Sequence, residues 1–257
     1  MCKNNFSHIK SGLILLFLIV FLYSCSEKKE GIKVAVAANF ASTINEIADS
    51  FKVSYPGCKI TIIRGSSGKL TGQILNGADY DIFLSADSLK PVLLYKEGFT
   101  RNKPVTYALG SLVLFTKTDL KLKPDLSTLL NDSIKHIAIA NPKLAPYGKA
   151  SIEAIKNAGL DIDTSRYVFS ENIIQTFQHL NFAADVGFVS KSLVLNNNSA
   201  EKYLENKNWV EVDTSLYEGI KQCMILLNNE SEEAQQLFNF ILSDKGKKII
   251  KKCGYSL

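Results

Sequence analysis

From Ile32 onward the chain alternates strand and helix signals, and this alternation constrains the fold more than any other feature of its 257 residues. Ile32-Lys33-Val34-Ala35-Val36-Ala37 reads as a strand. Ile44, Ile47, Ala48 and Phe51 then recur at helical spacing, giving an amphipathic helix from about Ser42 to Val53 that Tyr55-Pro56-Gly57 stops. Lys59–Ile63 is a second strand, followed by a helix through Leu70, Ile74 and Leu75. Asp81–Ser85 is a third strand, and a helix lies around Pro91–Glu97. Strands at Ser111–Thr116, His136–Ala140, Tyr167–Phe169, Val186–Val189 and Ile220–Leu227 continue the pattern. Helices fall at Lys149–Ala158, Ile173–Leu180 and Glu232–Ser243, and no internal repeat is visible. Such alternation predicts an α/β architecture with a mostly parallel sheet.

The residues ahead of this region have a different character. Leu13–Leu22 is unbroken hydrocarbon, preceded by Lys3 and Lys10 and followed by Tyr23-Ser24-Cys25. Ten apolar residues span only about 15 Å of helix, too little for a bilayer core. The pattern is that of a secretory signal, and the cysteine after the small Ser24 resembles the lipobox of bacterial lipoproteins. That resemblance implies that residues 1–24 are removed and that Cys25 is acylated. The polar stretch 25–31 then tethers an extracytoplasmic domain to a membrane.

Net charge is +5, of which Lys3 and Lys10 supply two, so nothing marks a nucleic-acid footprint. The lysines from Lys245 to Lys252 read as the solvated face of a helix. Cys58, Cys223 and Cys253 permit one disulfide or none, and are read as small apolar packing residues. No Cys-x-x-Cys occurs, and His136 and His179 stand far from any cysteine.

Four strand-to-helix junctions share small and polar residues. They are Ala37–Ser42, Gly65–Gly68, Asn141–Gly148 and Ser170–Ile173. Ligands of parallel α/β sheets gather at the carboxyl ends of strands. A helix start there offers unpaired N–H groups and a partial positive charge. Several such starts aimed at one point would bind an anion without a lysine or arginine, although each alone is also an ordinary N-cap. Gly65-Ser66-Ser67-Gly68-Lys69 is no P-loop, since only two residues separate the glycines. No nucleophile–base set is recognisable, so an enzyme is not expected.

These junctions, with Asp81-Ile82-Phe83-Leu84-Ser85-Ala86-Asp87, Ala145-Pro146-Tyr147-Gly148 and Ala184–Val189, resemble the molybdate-binding periplasmic proteins (the ModA family), receptors for ABC importers. The resemblance covers Gly31–Tyr255 and implies a type II periplasmic-binding-protein fold. Its two α/β lobes would be 32–108 plus 219–257, and 109–218. Hinge crossings would fall near Leu109–Leu114 and Gly219–Met224, with a ligand cleft between the lobes. It implies molybdate or tungstate as ligand, with no cofactor and no protein-to-metal bond. The partners it implies are an ABC permease and the membrane, for a monomeric receptor.

By the same resemblance, Asn39 and Ser67 would supply donors from the first lobe, Ser67 through both N–H and hydroxyl. Tyr147 and Ile173 would supply backbone N–H groups from the second. Ala38 stands where some relatives place a hydroxyl. Two departures accompany this. Many relatives have serine at the position of Asn39 and a tyrosine donor at the position of Ser190. The Asn39 amide is therefore expected to replace that lost donor, which leaves a role for Ser190 open. Lys69 and Lys149 are expected to stay solvated. Alternative readings are a receptor for sulfate or another oxyanion, and a surface lipoprotein without a transport role.

Overall fold

The computed structural model describes residues 31–196 and 203–257. Cys25, the segment before it, the tether as far as Glu30 and most of the Asn-rich patch 196–199 lie outside the described residues.

Two five-stranded sheets organise the described chain. The first contains β1 (Ile32–Ala37), β2 (Ile60–Gly65), β3 (Ile82–Ser85), β4 (Val105–Gly110) and β10 (Ile220–Leu226), in the order β2-β1-β3-β10-β4. The second contains β5 (Leu112–Thr116), β6 (Ile137–Ala140), β7 (Tyr167–Ser170), β8 (Val186–Ser190) and β9 (Trp209–Glu211), in the order β7-β6-β8-β5-β9. Each sheet has three parallel strands at one side. An antiparallel strand, β10 in one and β5 in the other, follows them. The sheets are therefore mixed rather than mostly parallel. The reversal arises because β10 and β5 are the strands that return the chain from the other sheet.

Among the described residues the helices are α1 (Ala41–Ser54), α2 (Ser67–Leu75), α3 (Leu89–Lys96), α4 (Pro146–Asn157), α5 (Ile173–His179), α6 (Lys191–Leu195), α7 (Glu232–Leu242) and α8 (Asp244–Lys252). α1 buries the stripe Ile44, Ile47, Ala48 and Phe51, as its spacing dictates. In α7 the stripe is Ala234, Leu237 and Ile241. α8 buries little beyond Gly246 and Ile250, and its lysines are exposed.

The two sheets are the centres of two α/β lobes. Gly110 pairs with Ile220 in the first sheet, while Leu112 pairs with Ser190 in the second. Ser111 alone therefore carries one crossing. Residues 212–219, between β9 and β10, carry the other. Cys58, Cys223 and Cys253 are free thiols, the last two buried.

Both lobes use the same anchoring device at the base of the sheet. Asp81, just before β3, accepts the N–H of Lys33 at the start of β1 (2.7 Å). Asp185, just before β8, accepts the N–H groups of Lys135 and His136 ahead of β6 (both 2.8 Å). In strand order β1 corresponds to β6, β2 to β7 and β3 to β8. The two lobes thus repeat one topology, with switch points between β1 and β3 and between β6 and β8.

Candidate functional site

The four junctions occupy matching places in the two lobes. Ala38-Asn39 follows β1 and the loop to Tyr147 follows β6, while Ser67 follows β2 and Ile173 follows β7. Parallel pairing brings each pair of strand ends together. Ala37 is in register with Gly65, and the Asn141 N–H donates to the Ser170 carbonyl at 2.7 Å. All four junctions thus sit at strand carboxyl ends, beside the switch points where open α/β sheets bind ligands.

The caps decide which N–H groups are left over. Asn172 caps α5 by accepting from Ile174 and Gln175 (3.1 Å each), which leaves the N–H of Ile173. Ser66 caps α2 by accepting from Lys69 (3.4 Å), and the Gly68 N–H goes to the Leu144 carbonyl (2.8 Å), which leaves that of Ser67. In α4 the first residue, Pro146, has no N–H and Ala145 makes no side-chain cap, so Tyr147 begins the donors of that helix. Ala38–Phe40 form a single 3-10 turn that runs directly into α1. The Ser67 hydroxyl accepts from the Ala86 N–H (3.0 Å), so its own hydrogen is available to another acceptor.

Ala38, Asn39, Ser67, Tyr147 and Ile173 are each no more than 3% exposed. Ala37, Ala38 and Ala86 from the first lobe share one apolar cluster with Tyr147 and Ile173 from the second. Bonds also cross between the lobes. Besides Gly68 to Leu144, the Ser192 hydroxyl donates to the Asn39 carbonyl at 3.1 Å. The lobes are closed on one another. Two lysines near the site are held by carboxylates, Lys69 by Glu171 (2.9 Å) and Lys149 by Glu218 (3.4 Å), on largely exposed side chains. A groove of about 170 Å³ opens beside the junctions between Asp87, Lys90, Pro142 and Lys149. Its charges are mixed, so it does not by itself attract anions.

The Asn39 side chain differs from its expected role. Its amide donates to Gln222 Oε1 (2.9 Å) and to the Tyr255 hydroxyl (3.0 Å), so both hydrogens are used inside the protein. It braces the turn after β1 against the hinge strand β10 and the C-terminal segment, rather than replacing a tyrosine donor. The Ser190 hydroxyl is also occupied, capping α6 through the Leu193 N–H (3.4 Å) and contacting Ser192 (3.0 Å).

Tyr147 reaches from the second lobe to the hinge. A Cβ on Gly110 would lie 2.2 Å from its hydroxyl oxygen, so only glycine admits the ring there. Among the described residues that buried hydroxyl has no hydrogen-bond partner, and burial holds it well above the usual tyrosine pKa. The nearby Asn39 amide tempers the shift without closing a bond of normal geometry.

Gln222, Ser192 and Tyr255 were not among the residues the sequence pointed to. Gln222 carried one usable signal, a polar residue inside the apolar strand Ile220–Leu226 that is fully buried here. Tyr255 carried none.

Comparison with known proteins agrees with this architecture. The model of a family described as bacterial extracellular solute-binding protein matches residues 32–256. A molybdate-binding protein ModA of Azotobacter vinelandii is 34% identical over 241 residues, covering 92% of this chain and 94% of that protein. The ModA of Rhodobacter capsulatus is 32% identical over 252 residues, covering 96% of each. The solved structure of the Azotobacter vinelandii periplasmic molybdate-binding protein matches with a TM-score of 0.80 at 31% identity, covering 88% of this chain and 99% of that one. The chain belongs to the bacterial extracellular solute-binding proteins and, within them, to the ModA family of molybdate-binding proteins.

Proposed function

We propose that the protein is an extracytoplasmic receptor that captures molybdate or tungstate in the interlobe cleft and delivers it to an ABC permease. The observation that carries this reading is the leftover N–H groups of Ser67, Tyr147 and Ile173. They stand at buried helix starts of both lobes, while the nearby lysines are tied to carboxylates. The N–H groups of Ala38 and Asn39, at the turn after β1, complete the donor set. Helix starts of this kind stabilise an anion through partial charges that need no counter-cation. A fully ionised tetrahedral dianion accepts hydrogen bonds and donates none. Phosphate keeps a proton near neutrality, and that proton needs an acceptor which a wall of donors lacks.

The names of the relatives support molybdate as the ligand. The binding lobes would be 32–110 plus 220–257, and 112–211; β4 keeps Leu109 and Gly110 in the first sheet, so the boundary falls at Ser111 rather than after residue 108. Acylation of Cys25 would hold the receptor, as a monomer, on a bacterial membrane at its periplasmic or cell-surface side. Titration calorimetry with molybdate, tungstate, sulfate and phosphate tests the reading. Tight binding of the first two and weak binding of the others is the expected order. Heat from sulfate alone, or from none of the four, would refute it.

A further inference from the structure

A main-chain hydrogen bond joins the lobes between two residues that flank the candidate site. Gly68 follows Ser67 in the first turn of α2, and Leu144 precedes the start of α4. The Gly68 N–H donates to the Leu144 carbonyl at 2.8 Å. A Cβ built on Gly68 would lie 2.9 Å from that oxygen and 3.0 Å from the Leu144 Cα. Real Cβ atoms are essentially never found so near, and the obstacle is main chain, which cannot swing aside as a side-chain tip can. All three of the nearest atoms that the Cβ would meet belong to Leu144, in the other lobe. Gly68 is helical, not left-handed, so alanine suits its own lobe and is the better helix former.

Resting on the receptor reading above, we infer that Gly68 is a closure-permitting residue. Its missing side chain lets the α2 start seat against the Leu144 main chain, and a single methyl group there holds the lobes apart without disturbing either one. Gly68 is a positioning residue in this sense. It governs whether the donors of the two lobes reach one anion together.

The neighbouring ion pair gives a closure readout that needs no ligand. Lys69 in the first lobe and Glu171 in the second are 2.9 Å apart, so a carbodiimide can join them only when the lobes meet. Lys252 and Glu46, also 2.9 Å apart, lie within the first lobe and report its fold. Gly72 on the same helix has nothing within 4 Å of an added Cβ and serves as the control site.

The experiment compares the full chain in detergent with its Gly68→Ala and Gly72→Ala variants. It measures both cross-link yields by mass spectrometry, with and without molybdate, together with thermal unfolding and molybdate titration. For Gly68→Ala we expect an unchanged or higher unfolding temperature without ligand and an unchanged Lys252–Glu46 link. The Lys69–Glu171 link should fall at least fivefold and molybdate affinity at least tenfold. Gly72→Ala should match the parent throughout. An undiminished Lys69–Glu171 link in Gly68→Ala, its absence in the parent, or misfolding of Gly68→Ala would each overturn the inference. If the parent binds no molybdate yet Gly68→Ala still loses the interlobe link, the closure role stands and only the ligand reading fails.

Discussion

Asn39 and Tyr255 are bonded to each other twice. The Asn39 amide donates to the Tyr255 hydroxyl at 3.0 Å, and that hydroxyl lies 2.8 Å from the Asn39 carbonyl and 2.9 Å from the Ser192 hydroxyl. The ring of contacts joins the turn after β1, the C-terminal segment and the start of α6, and it is buried throughout. Removing one member leaves the others desolvated and unpaired, at about 1–3 kcal/mol. Tyr255→Phe and Asn39→Ala are therefore both expected to lower stability by about that amount in the absence of ligand. A purely ligand-contacting Asn39 side chain would instead lose oxyanion affinity with no change in ligand-free unfolding. Chemical denaturation of both variants with and without molybdate separates the two outcomes.

Tyr147 presents the reverse case. Its hydroxyl has no partner among the described residues, so the group bears a desolvation cost without a compensating bond. Tyr147→Phe keeps the backbone N–H and the ring beside Gly110. Its stability should be unchanged or higher by up to about 1 kcal/mol, and molybdate affinity should stay within about twofold. A tenfold loss of affinity in calorimetry would assign the hydroxyl a ligand role that its present contacts do not give it.

The lysines near the cleft should matter little. Lys69 and Glu171 are respectively 51% and 36% exposed at their side chains, so water and salt screen their attraction. Lys69→Met is expected to change oxyanion affinity by no more than about twofold, and to leave its salt dependence nearly flat. Steep weakening with added salt that the substitution abolishes would show an anion held by the ammonium group instead.

Alkaline pH should loosen the fold in a defined window. The Cys223 thiol is pushed up from an ordinary 9.0 to about 11, chiefly by burial and then by the charge of Asp87. Burial also raises the hydroxyls of Tyr107, Tyr147 and Tyr255. An acid whose pKa is raised on folding stabilises the native state fully below its unfolded pKa. Above that value the unfolded chain releases protons that the native chain keeps, and the stabilisation drains away up to the folded pKa. These groups should therefore contribute constant stability below about pH 9, with the denaturation midpoint falling between about pH 9 and 11. Cys223→Ala should flatten that fall; an equally steep decline would remove the thiol from the account.

Most single elements were legible in the sequence because each depends on local periodicity. The stripe Ile44, Ile47, Ala48 and Phe51 determines α1 wherever it packs, and Asn172 and Ser66 cap their helices by reaching only two or three residues ahead. β4 and β9 escaped notice. β9 is three residues long, and β4 does not alternate, because its two buried residues, Tyr107 and Ala108, are adjacent and the apolar Leu109 after them is exposed. The repeated topology was also hidden. Asp81 and Asp185 perform one task in two lobes, but an aspartate ahead of a short apolar run ending in serine is too brief a pattern to reveal a repeat until both strands are placed.

The sequence by itself determined the α/β class and the four small-residue junctions. It also specified the caps and starts of the helices there, because propensity, capping and side-chain chemistry act over a few residues. Tertiary structure alone decided which sheet each strand joins and where Ser111 carries the chain across. It also turned the Asn39 amide inward to Gln222 and Tyr255, and pressed Gly68 against Leu144. Those outcomes depend on contacts between residues about 75 to more than 200 positions apart; the Asn39 contacts exist only once the first lobe has closed on its C-terminal segment, and the Gly68 contact only once the two lobes have met.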